Sequence, residues 1–344
     1  MAEKLSSQPL SRRGFLKLGG MALGTVILPE EIFSPENDMK PGRVLLDSIQ
    51  IFDRPSFSAR PIAKYFKDAI LPITEQVTGM KNDLHSREWC RISNSGYTHS
   101  SWLQPVKIHF QEPAEELVFT GSLAEVTVPF ADVYDKPSED STWLYRYYYS
   151  STHWVDQIKE DSSGKVWYRV IDDKYPERDR WVRANRLRVI PYEELAPISP
   201  EVPAEEKHIE VDIAEQRMTA FESGAAVYEA KVSSGDYLTN DQYQTPTGRY
   251  LIGLKRASQH MLPLNRTFGN YDLPGVPWVS YFTQGAHAFH GAFWHNSFGL
   301  IRSHGCVNLA PEDARWVYLW STPEMRPYNH LQYSKTGGTR VVVY

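Results

Sequence analysis

The stretch Ser303-His-Gly-Cys306-Val-Asn308 is the most informative part of the chain, and His290 precedes its cysteine by sixteen residues. A cysteine is a strong nucleophile only as its thiolate, so a reactive cysteine needs a base or a positive charge nearby. Histidine titrates closest to neutrality of all side chains and is suited to accept the thiol proton. Gly305 permits a tight turn that brings main-chain N–H groups toward a reacting carbonyl, as an oxyanion hole requires. The stretch therefore predicts an acyl-transfer site built on cysteine and histidine.

Further motifs surround this stretch at fixed spacing. His290-Gly291 opens H-G-A-F-W-H-N-S-F-G, whose S-F-G leads into the cysteine stretch. This combination resembles the signature of the L,D-transpeptidase (YkuD-type) catalytic domain family, H-G, S-[IF]-G and S-x-G-C-[hydrophobic]-[NR]. Upstream, the H-I-E-V-D-I-A-E-Q run from 208, V-S-S-G from 232 and T-P-T-G from 245 resemble the opening strands and T-P-x-G turn of that family. The resemblance covers about residues 205–344 and implies a β-sandwich with a short helix.

The resemblance implies a role for each residue of the motif. Cys306 is the expected nucleophile and His290 the expected general base, with the carbonyl of Gly291 orienting the imidazole ring. The main-chain N–H groups of His304, Gly305 and Cys306 are the expected oxyanion hole. The side chain of His304 could instead bind substrate, tune the thiolate or hydrogen-bond a loop.

Four further residues are expected in supporting roles. The resemblance implies that Ser303 and Asn308 are polar supports of the site, and Asn308 could equally be a turn residue. Trp294 and Ser297 are expected to contact substrate, although an aromatic residue such as Trp294 beside a site is as often core. A cysteine in a β-rich domain can also be a buried apolar residue, but the motif favours the nucleophile for Cys306.

The reaction that the resemblance implies is two-step acyl transfer on peptidoglycan stem peptides. The cysteine attacks the amide between an L-residue and a terminal D-residue, and an amine or water then resolves the thioester. No cofactor is expected. The sequence around the motif contains no C-x-x-C or H-x-x-x-H pattern, so no metal site is predicted. His287 and His295 are interpreted as structural or surface residues.

Composition and the amino terminus restrict the partners and the compartment. A net charge of −5 without a long basic run argues against nucleic acid. Ser11-Arg-Arg-Gly-Phe-Leu-Lys17 resembles the twin-arginine export motif, and the apolar run from 18 to 28 is too short to span a bilayer. We therefore expect an exported, envelope-associated protein with no transmembrane segment beyond this signal. A short amphipathic helix with a chance arginine pair is the alternative. No oligomeric state is predicted.

Two segments between the amino terminus and the catalytic region resemble each other. I-F-D-R-P-S from 51 matches V-Y-D-K-P-S from 133, and W-C-R-I from 89 matches W-Y-R-V from 167. Short alternating strands between turn residues are typical of small barrels, and the pattern resembles bacterial Src-homology-3-like domains. These modules could bind peptidoglycan, or they could be spacers. Neither Cys90, interpreted as a core residue, nor Cys306 is expected to form a disulfide.

The predicted fold class is mainly β, with two small Src-homology-3-like barrels followed by a YkuD-type β-sandwich catalytic domain with a short helix. The prediction is an exported L,D-transpeptidase. An L,D-carboxypeptidase that uses water, and a non-catalytic wall-binding protein, are the alternatives. The expected order along the chain is a twin-arginine signal (1–30), a linker (31–40), a first barrel-like domain (41–110), a second (111–190), a Pro-rich linker (191–206) and the catalytic domain (207–344).

Overall fold

The computed structural model of the protein describes most of the chain from residue 39 onward. The described residues are 39–80, 86–93, 95–263, 270–284, 287–326, 329–334 and 337–344. The predicted twin-arginine segment and nearly all of the first linker therefore lie outside the described residues. The chain divides into two compact units, one holding residues 39–80 and 87–106 and the other holding residues 107–344 together with Ser86.

The first unit is a seven-stranded antiparallel sheet with the strand order β3-β2-β6-β5-β4-β1-β7. Its strands are β1 (Lys40–Val44), β2 (Ser48–Phe52), β3 (Pro61–Phe66), β4 (Ile70–Thr78), β5 (Glu88–Ile92), β6 (Tyr97–His99) and β7 (Leu103–Pro105). Cys90 on β5 is buried among Val44, Ile51 and Leu71.

The second unit begins with another seven-stranded sheet whose strand order repeats that of the first. The order is β10-β9-β13-β12-β11-β8-β14. A 3-10 turn precedes the last strand in both sheets, at Ser100–Trp102 and Ala184–Arg186. The strands are β8 (Ser122–Val126), β9 (Phe130–Tyr134), β10 (Trp143–Tyr148), β11 (Thr152–Glu160), β12 (Val166–Ile171), β13 (Trp181–Arg183) and β14 (Leu187–Val189).

The Pro-rich segment after β14 is packed rather than extended. It contains 3-10 turns at Tyr192–Leu195 and Ala204–Glu206. Leu195 is only 4% exposed and belongs to the same core cluster as the last domain. Its four prolines limit regular structure, while Leu195 is buried and the partly buried Ile198 packs against the same core.

The last domain consists of two five-stranded sheets and a helix. The strands are β15 (Lys207–Asp212), β16 (Arg217–Glu222), β17 (Ala225–Lys231), β18 (Gly248–Leu251), β19 (Leu254–Met261), β20 (Leu273–Tyr281), β21 (Ala288–Gly291), β22 (Val307–Leu309), β23 (Gln332–Tyr333) and β24 (Arg340–Val343). The sheet orders are β17-β16-β15-β24-β18 and β22-β21-β20-β19-β23. The predicted mainly β fold class is confirmed.

Alternation of apolar and polar residues accounts for the core between these two sheets. On β15, Ile209 and Val211 point inward while Glu210 points outward. They belong to one buried cluster with Trp278 of β20 and Phe289 of β21. The two sheets therefore pack as a sandwich around a common core.

The helix α1 (Pro311–Trp320) follows β22 directly and is the short helix of this domain. Proline at its first position and Glu312 and Asp313 in its first turn suit a helix start. Its buried side includes Val317 and Tyr318, which join the common core. Within the described part of the chain, no helix combines the length and apolar character needed to cross a bilayer.

Candidate active site

Two parallel strands bring the predicted base and nucleophile to one face of the sheet. β21 pairs with β22 so that Phe289 faces Val307 and His290 faces Asn308. Cys306 directly precedes β22. Because alternate strand residues point to the same side, His290, Asn308 and Cys306 share a face.

His290 is held as a neutral imidazole. The residue is 3% exposed, and burial lowers its pKa to about 4, against the opposing effect of its hydrogen bond to Gly291. Nδ1 lies 3.2 Å from the carbonyl oxygen of Gly291, which can only accept. The ring proton therefore belongs on Nδ1, and Nε2 is left as the proton acceptor.

Gly291 is glycine because no side chain fits there. A Cβ at this position would lie 2.8 Å from Cγ of Pro277 and 3.0 Å from Cα of Pro311. The H-G pair of the motif thus provides the ring acceptor and a close approach between strand and helix.

Cys306 is half-buried against an apolar floor formed by Val276, Val279 and Ala288. Burial raises the pKa of its thiol to about 11, while a main-chain hydrogen bond with Ala288 lowers it. Trp294 packs against the same floor, and its ring centroid lies 5.6 Å from that of His290. The resting pair is therefore a neutral thiol and a neutral imidazole at pH 7.

Ser303 closes the loop that carries the nucleophile. Its Oγ donates to the carbonyl of Cys306 at 2.5 Å and accepts from the N–H of Gly305 at 3.0 Å. The N–H of Gly305 is therefore engaged within the loop, whereas the motif had suggested it as an oxyanion donor. Gly305 instead permits the turn, with a φ of 118°, and a Cβ there would lie 3.0 Å from the ring of His287.

The V-S-S-G segment supports this loop from the other side. Ser233 and Asn308 exchange two main-chain hydrogen bonds of 2.9 Å. The N–H of Ser303 donates to the carbonyl of Ser234 at 3.0 Å, and the N–H of Asp236 donates to the carbonyl of Ser303 at 2.8 Å. The loop is thus fixed by main-chain contacts on both sides.

Thr245, the first residue of the T-P-T-G turn, is a supporting residue that sequence reasoning did not assign to the site. Its buried Oγ1 accepts from the N–H of Gly235 and donates to the carbonyl of Gly305, both at 2.9 Å. One hydroxyl therefore ties the T-P-T-G turn to both segments that hold Cys306. The T-P-T-G motif marks this turn in the sequence, and it is the signal from which the role of Thr245 could have been predicted.

Asn308 is held by a buried histidine. Nδ2 of Asn308 lies 2.8 Å from Nε2 of His295, and Nδ1 of His295 accepts from the N–H of Ser297 at 3.2 Å. Because Nδ1 accepts, the ring proton is on Nε2, and the amide oxygen is its proper partner. Burial lowers the pKa of His295 to about 3. Both Ser297 and Asn308 thus contact His295, while Ser297 itself is partly exposed.

Three tyrosines that no motif marked lie around the nucleophile. The ring of His304 lies 4.2 Å from that of Tyr243 and 5.4 Å from that of Tyr271, between ring centroids. Burial, and then the charge of Cys306, raise the pKa values of Tyr271 and Tyr281. These aromatic side chains form a wall beside Cys306 that is built from residues distant in sequence.

A groove of about 700 Å³ lies elsewhere on the last domain. It is lined by residues of β15, β18 and β24, and Cys306 does not line it. Among the described residues, no group of three or more histidine, cysteine or acidic side chains is placed to hold a metal ion. The candidate site is therefore the face that carries Cys306 and His290.

Comparison with known proteins gives a family match in this domain. Residues 206–343 match the family model of the YkuD L,D-transpeptidase catalytic domain. A curated relative, the putative L,D-transpeptidase YciB of Bacillus subtilis (strain 168), is 26% identical over 129 residues, which are 35% of this chain and 63% of the relative. The chain thus matches less than two thirds of that relative. The match supports an enzyme of the L,D-transpeptidase kind in this part of the chain.

Two solved structures are also similar to this chain. The NMR structure of the catalytic domain from the E. faecium L,D-transpeptidase is 22% identical, with a TM-score of 0.32, over 41% of this chain and 98% of that one. The crystal structure of an L,D-transpeptidase from Mycobacterium tuberculosis H37Rv is 23% identical, with a TM-score of 0.31, over 40% of this chain and 57% of that one.

Proposed function

We propose that this protein is an exported cysteine L,D-transpeptidase that acts on peptidoglycan stem peptides. The observation that carries the proposal is the placement of His290 and Cys306 on one face of the parallel pair β21–β22, with Nδ1 of His290 turned to Gly291. The family match over residues 206–343 supports the same chemistry.

The chemistry follows from the neutral resting pair. As Sγ of Cys306 attacks the carbonyl of the amide between the L-residue and the terminal D-residue, the thiol proton passes to Nε2 of His290. The C–N bond breaks, the D-amino acid takes that proton as it leaves, and a thioester remains on Cys306. The N–H groups of His304 and Cys306 are the proposed donors to the oxyanion.

The second half of the reaction regenerates the thiol. An amine of a neighbouring stem peptide attacks the thioester carbonyl, and its proton passes through His290 to the sulfur as the C–S bond breaks. The new amide cross-links the two stems. Water in place of the amine gives a carboxylate, which is the L,D-carboxypeptidase alternative. Both acceptors use the same residues, so the products distinguish them.

The remaining parts of the chain are proposed to bring the catalytic domain to its substrate. The twin-arginine segment would export the chain to the envelope. The two repeated sheets would act as Src-homology-3-like modules that contact the cell wall. Trp143 on the edge strand β10 is 52% exposed and Phe66 on the edge strand β3 is also 52% exposed, and both rings could stack on a sugar or peptide.

The test is to incubate the purified protein, lacking its first thirty residues, with a disaccharide-tetrapeptide and to follow the products by mass spectrometry. Loss of the terminal D-residue with formation of dimers is the expected result. Loss without dimers would favour the carboxypeptidase. Unchanged substrate in the presence of folded protein would contradict the proposal and favour a wall-binding protein, which a sedimentation assay with purified sacculi would then detect.

A further inference from the structure

The second sheet and the catalytic domain are fastened to each other by buried polar contacts. Thr152 on β11 donates its Oγ1 to the carbonyl of Ala257 at 2.7 Å, and its own carbonyl accepts from Oγ of Ser258 at 2.5 Å. The ring of Trp154 stacks on that of His330 with centroids 4.1 Å apart. β11 and β19 therefore form a continuous interface within one compact unit.

A cluster of one histidine and two carboxylates crosses this interface; we call Asp172, His260 and Asp272 the His260 cluster. Nδ1 of His260 lies 2.8 Å from Oδ2 of Asp172, and Nε2 lies 2.7 Å from Oδ1 of Asp272. A carboxylate accepts hydrogen bonds, so both ring nitrogens carry protons and the ring is an imidazolium. Burial acts against this charge, but the two aspartates raise the pKa of His260 above its ordinary value.

The second sheet provides the fixed end of the cluster. Asp172 follows β12, is buried, and also accepts from the N–H groups of Lys174 and Tyr175 at 2.8 and 3.0 Å. The neighbouring Asp173 accepts from the main-chain N–H of His260 at 2.8 Å. The second sheet therefore makes hydrogen bonds with both the ring and the backbone of His260, which is 4% exposed.

The other end of the cluster reaches the candidate active site. Asp272 directly follows Tyr271, whose ring contacts that of His304, and Cys306 contributes to the raised pKa of Tyr271. Gln259, next to His260 on β19, accepts from Oη of Tyr281 at 3.0 Å. Tyr271 and Tyr281 are thus connected to the segment of β19 around His260, which the second sheet holds by hydrogen bonds.

We propose that His260 and Asp272 are positioning residues through which the second sheet holds the Tyr271 side of the Cys306 site, so that this sheet is a working part of the acyl-transfer site. This inference rests on the proposed function, because kcat/KM can be measured only if the protein turns over the stem peptide. It assigns the second sheet a role in the reaction rather than in wall binding or spacing alone. The charged and titratable groups around the cluster include Asp173, Arg180, Tyr145, Tyr147, Tyr175, His153 and Arg256.

The test replaces Asp272 by asparagine, a change that keeps the shape and removes the charge. Asp272 is 69% exposed, so the variant is expected to fold. Asp179→Asn is the matched control, because that aspartate is 62% exposed in the same unit and does not face His260. Two readouts are measured on the chain lacking its first thirty residues: kcat/KM with the disaccharide-tetrapeptide, and the rate at which iodoacetamide alkylates Cys306.

We expect Asp272→Asn to lower kcat/KM by about threefold to tenfold, the effect of losing one charge-assisted hydrogen bond, and to change the alkylation rate. Asp272→Glu should restore much of both, and Asp179→Asn should change neither. Asp272→Asn removes one carboxylate that stabilises the imidazolium, so the pKa of His260 should fall. The alkaline loss of activity should therefore begin at a lower pH in this variant than in the unmodified chain.

Unchanged kcat/KM and alkylation in Asp272→Asn would overturn the inference. If the unmodified chain shows no turnover at all, the proposed function fails, but the alkylation rate still tests the positioning role. In that case a change confined to Asp272→Asn supports it, and equal rates in all variants contradict it.

Discussion

Burial acts in opposite directions on the two groups that carry the proposed reaction. It lowers the pKa of His290 to about 4 and raises that of Cys306 to about 11. Between these values both groups are neutral, so the resting site is not a thiolate–imidazolium pair. In the proposed reaction the proton moves while the substrate reacts, so the proposed role of His290 is that of a general base rather than a stationary counter-charge.

This assignment predicts the pH dependence of His290→Ala. In the unmodified chain kcat/KM should rise through about pH 4, as His290 loses its proton, and then stay level through neutrality. Without the base, only the thiolate reacts, so the rate of the variant should keep rising toward about pH 11. The loss should be about 10²–10⁴-fold at pH 7 and far smaller at pH 10. Equal losses at both pH values would assign His290 to substrate positioning; His208→Ala, on the outer face of β15, is the control.

Thr245 allows a test of how firmly the nucleophile loop must be held. Thr245→Val keeps the shape of the side chain but leaves the N–H of Gly235 and the carbonyl of Gly305 without their shared partner. We expect a loss of about 1–3 kcal/mol in the free energy of unfolding, together with slower acylation of Cys306. Thr247→Val in the same turn has an exposed side chain and should have little effect on either quantity. Similar results for both variants would contradict the role given to Thr245.

Two buried lysines donate hydrogen bonds to the carboxyl-terminal end of the helix α1, behind the site. Lys255 donates from Nζ to the carbonyls of Tyr318 and Ser321, the latter at 2.6 Å. Lys207 donates to the carbonyl of Trp320 at 3.3 Å. Carbonyls in the last turn of a helix have no partner within the helix, and a cation there also suits its dipole. β15, which begins with Lys207, and β19, which contains Lys255, are thus joined to the end of the helix.

Lys255→Met should therefore destabilise the chain by about 1–3 kcal/mol at pH 7, because two buried carbonyls lose their donor. Burial lowers the pKa of Lys255 to about 7, from 10.5 in the unfolded chain. Between these values the unfolded chain binds more protons, so this group makes stability rise with pH, and the variant should lose that rise. Urea unfolding at pH 7 and pH 9 measures both effects. The exposed Lys136→Met should stay within about 0.5 kcal/mol, and a matching change there would refute the special role of Lys255.

Local pattern determined which elements could be predicted. The sequences of β15 and β16 alternate apolar and polar residues, and Pro311 with the acidic residues after it suits the start of α1. Alternation does not say which strands are neighbours. The last strand, β24, lies between β15 and β18 and runs parallel to β15, a long-range pairing that its sequence does not encode locally.

The same limit applies to the site. The motif led to Cys306 and His290 because their spacing along the chain is short and fixed. Tyr271 and Tyr281 were missed because they reach Cys306 from β20 and the residues before it, through tertiary packing alone. The hydrogen bond that engages the N–H of Gly305 depends on the rotamer of Ser303, which no pattern specifies.

The second sheet and the catalytic domain form one compact unit with a shared core. Leu123 and Trp154 from the second sheet belong to the same buried cluster as Ile209 and Phe289 of the catalytic domain. Separating them would expose apolar surface, so we expect residues 107–344 to unfold in one cooperative transition.

Gly275 tests this cooperativity at the interface. Its φ is +74°, and a Cβ there would lie 2.1 Å from Cε1 of His153 in the second sheet. Gly224 also has a positive φ, of 83°, but a Cβ there would meet nothing within 4 Å. Gly275→Ala should lower the melting temperature of the whole unit by several degrees more than Gly224→Ala, since about 1 kcal/mol shifts a unit of this size by roughly 2–4 °C. Separate transitions for the second sheet and the catalytic domain in calorimetry would contradict a shared core.

The proposed reaction requires that Cys306 carries the acyl group. The most direct measurement is the intact mass of the protein shortly after mixing with the disaccharide-tetrapeptide. We expect a species heavier by the mass of the substrate minus that of the released D-amino acid, with the added mass on Cys306, present in Cys90→Ala and absent in Cys306→Ala. Product formation by Cys306→Ala, or turnover without any adduct on Cys306 under conditions that trap thioesters, would contradict it.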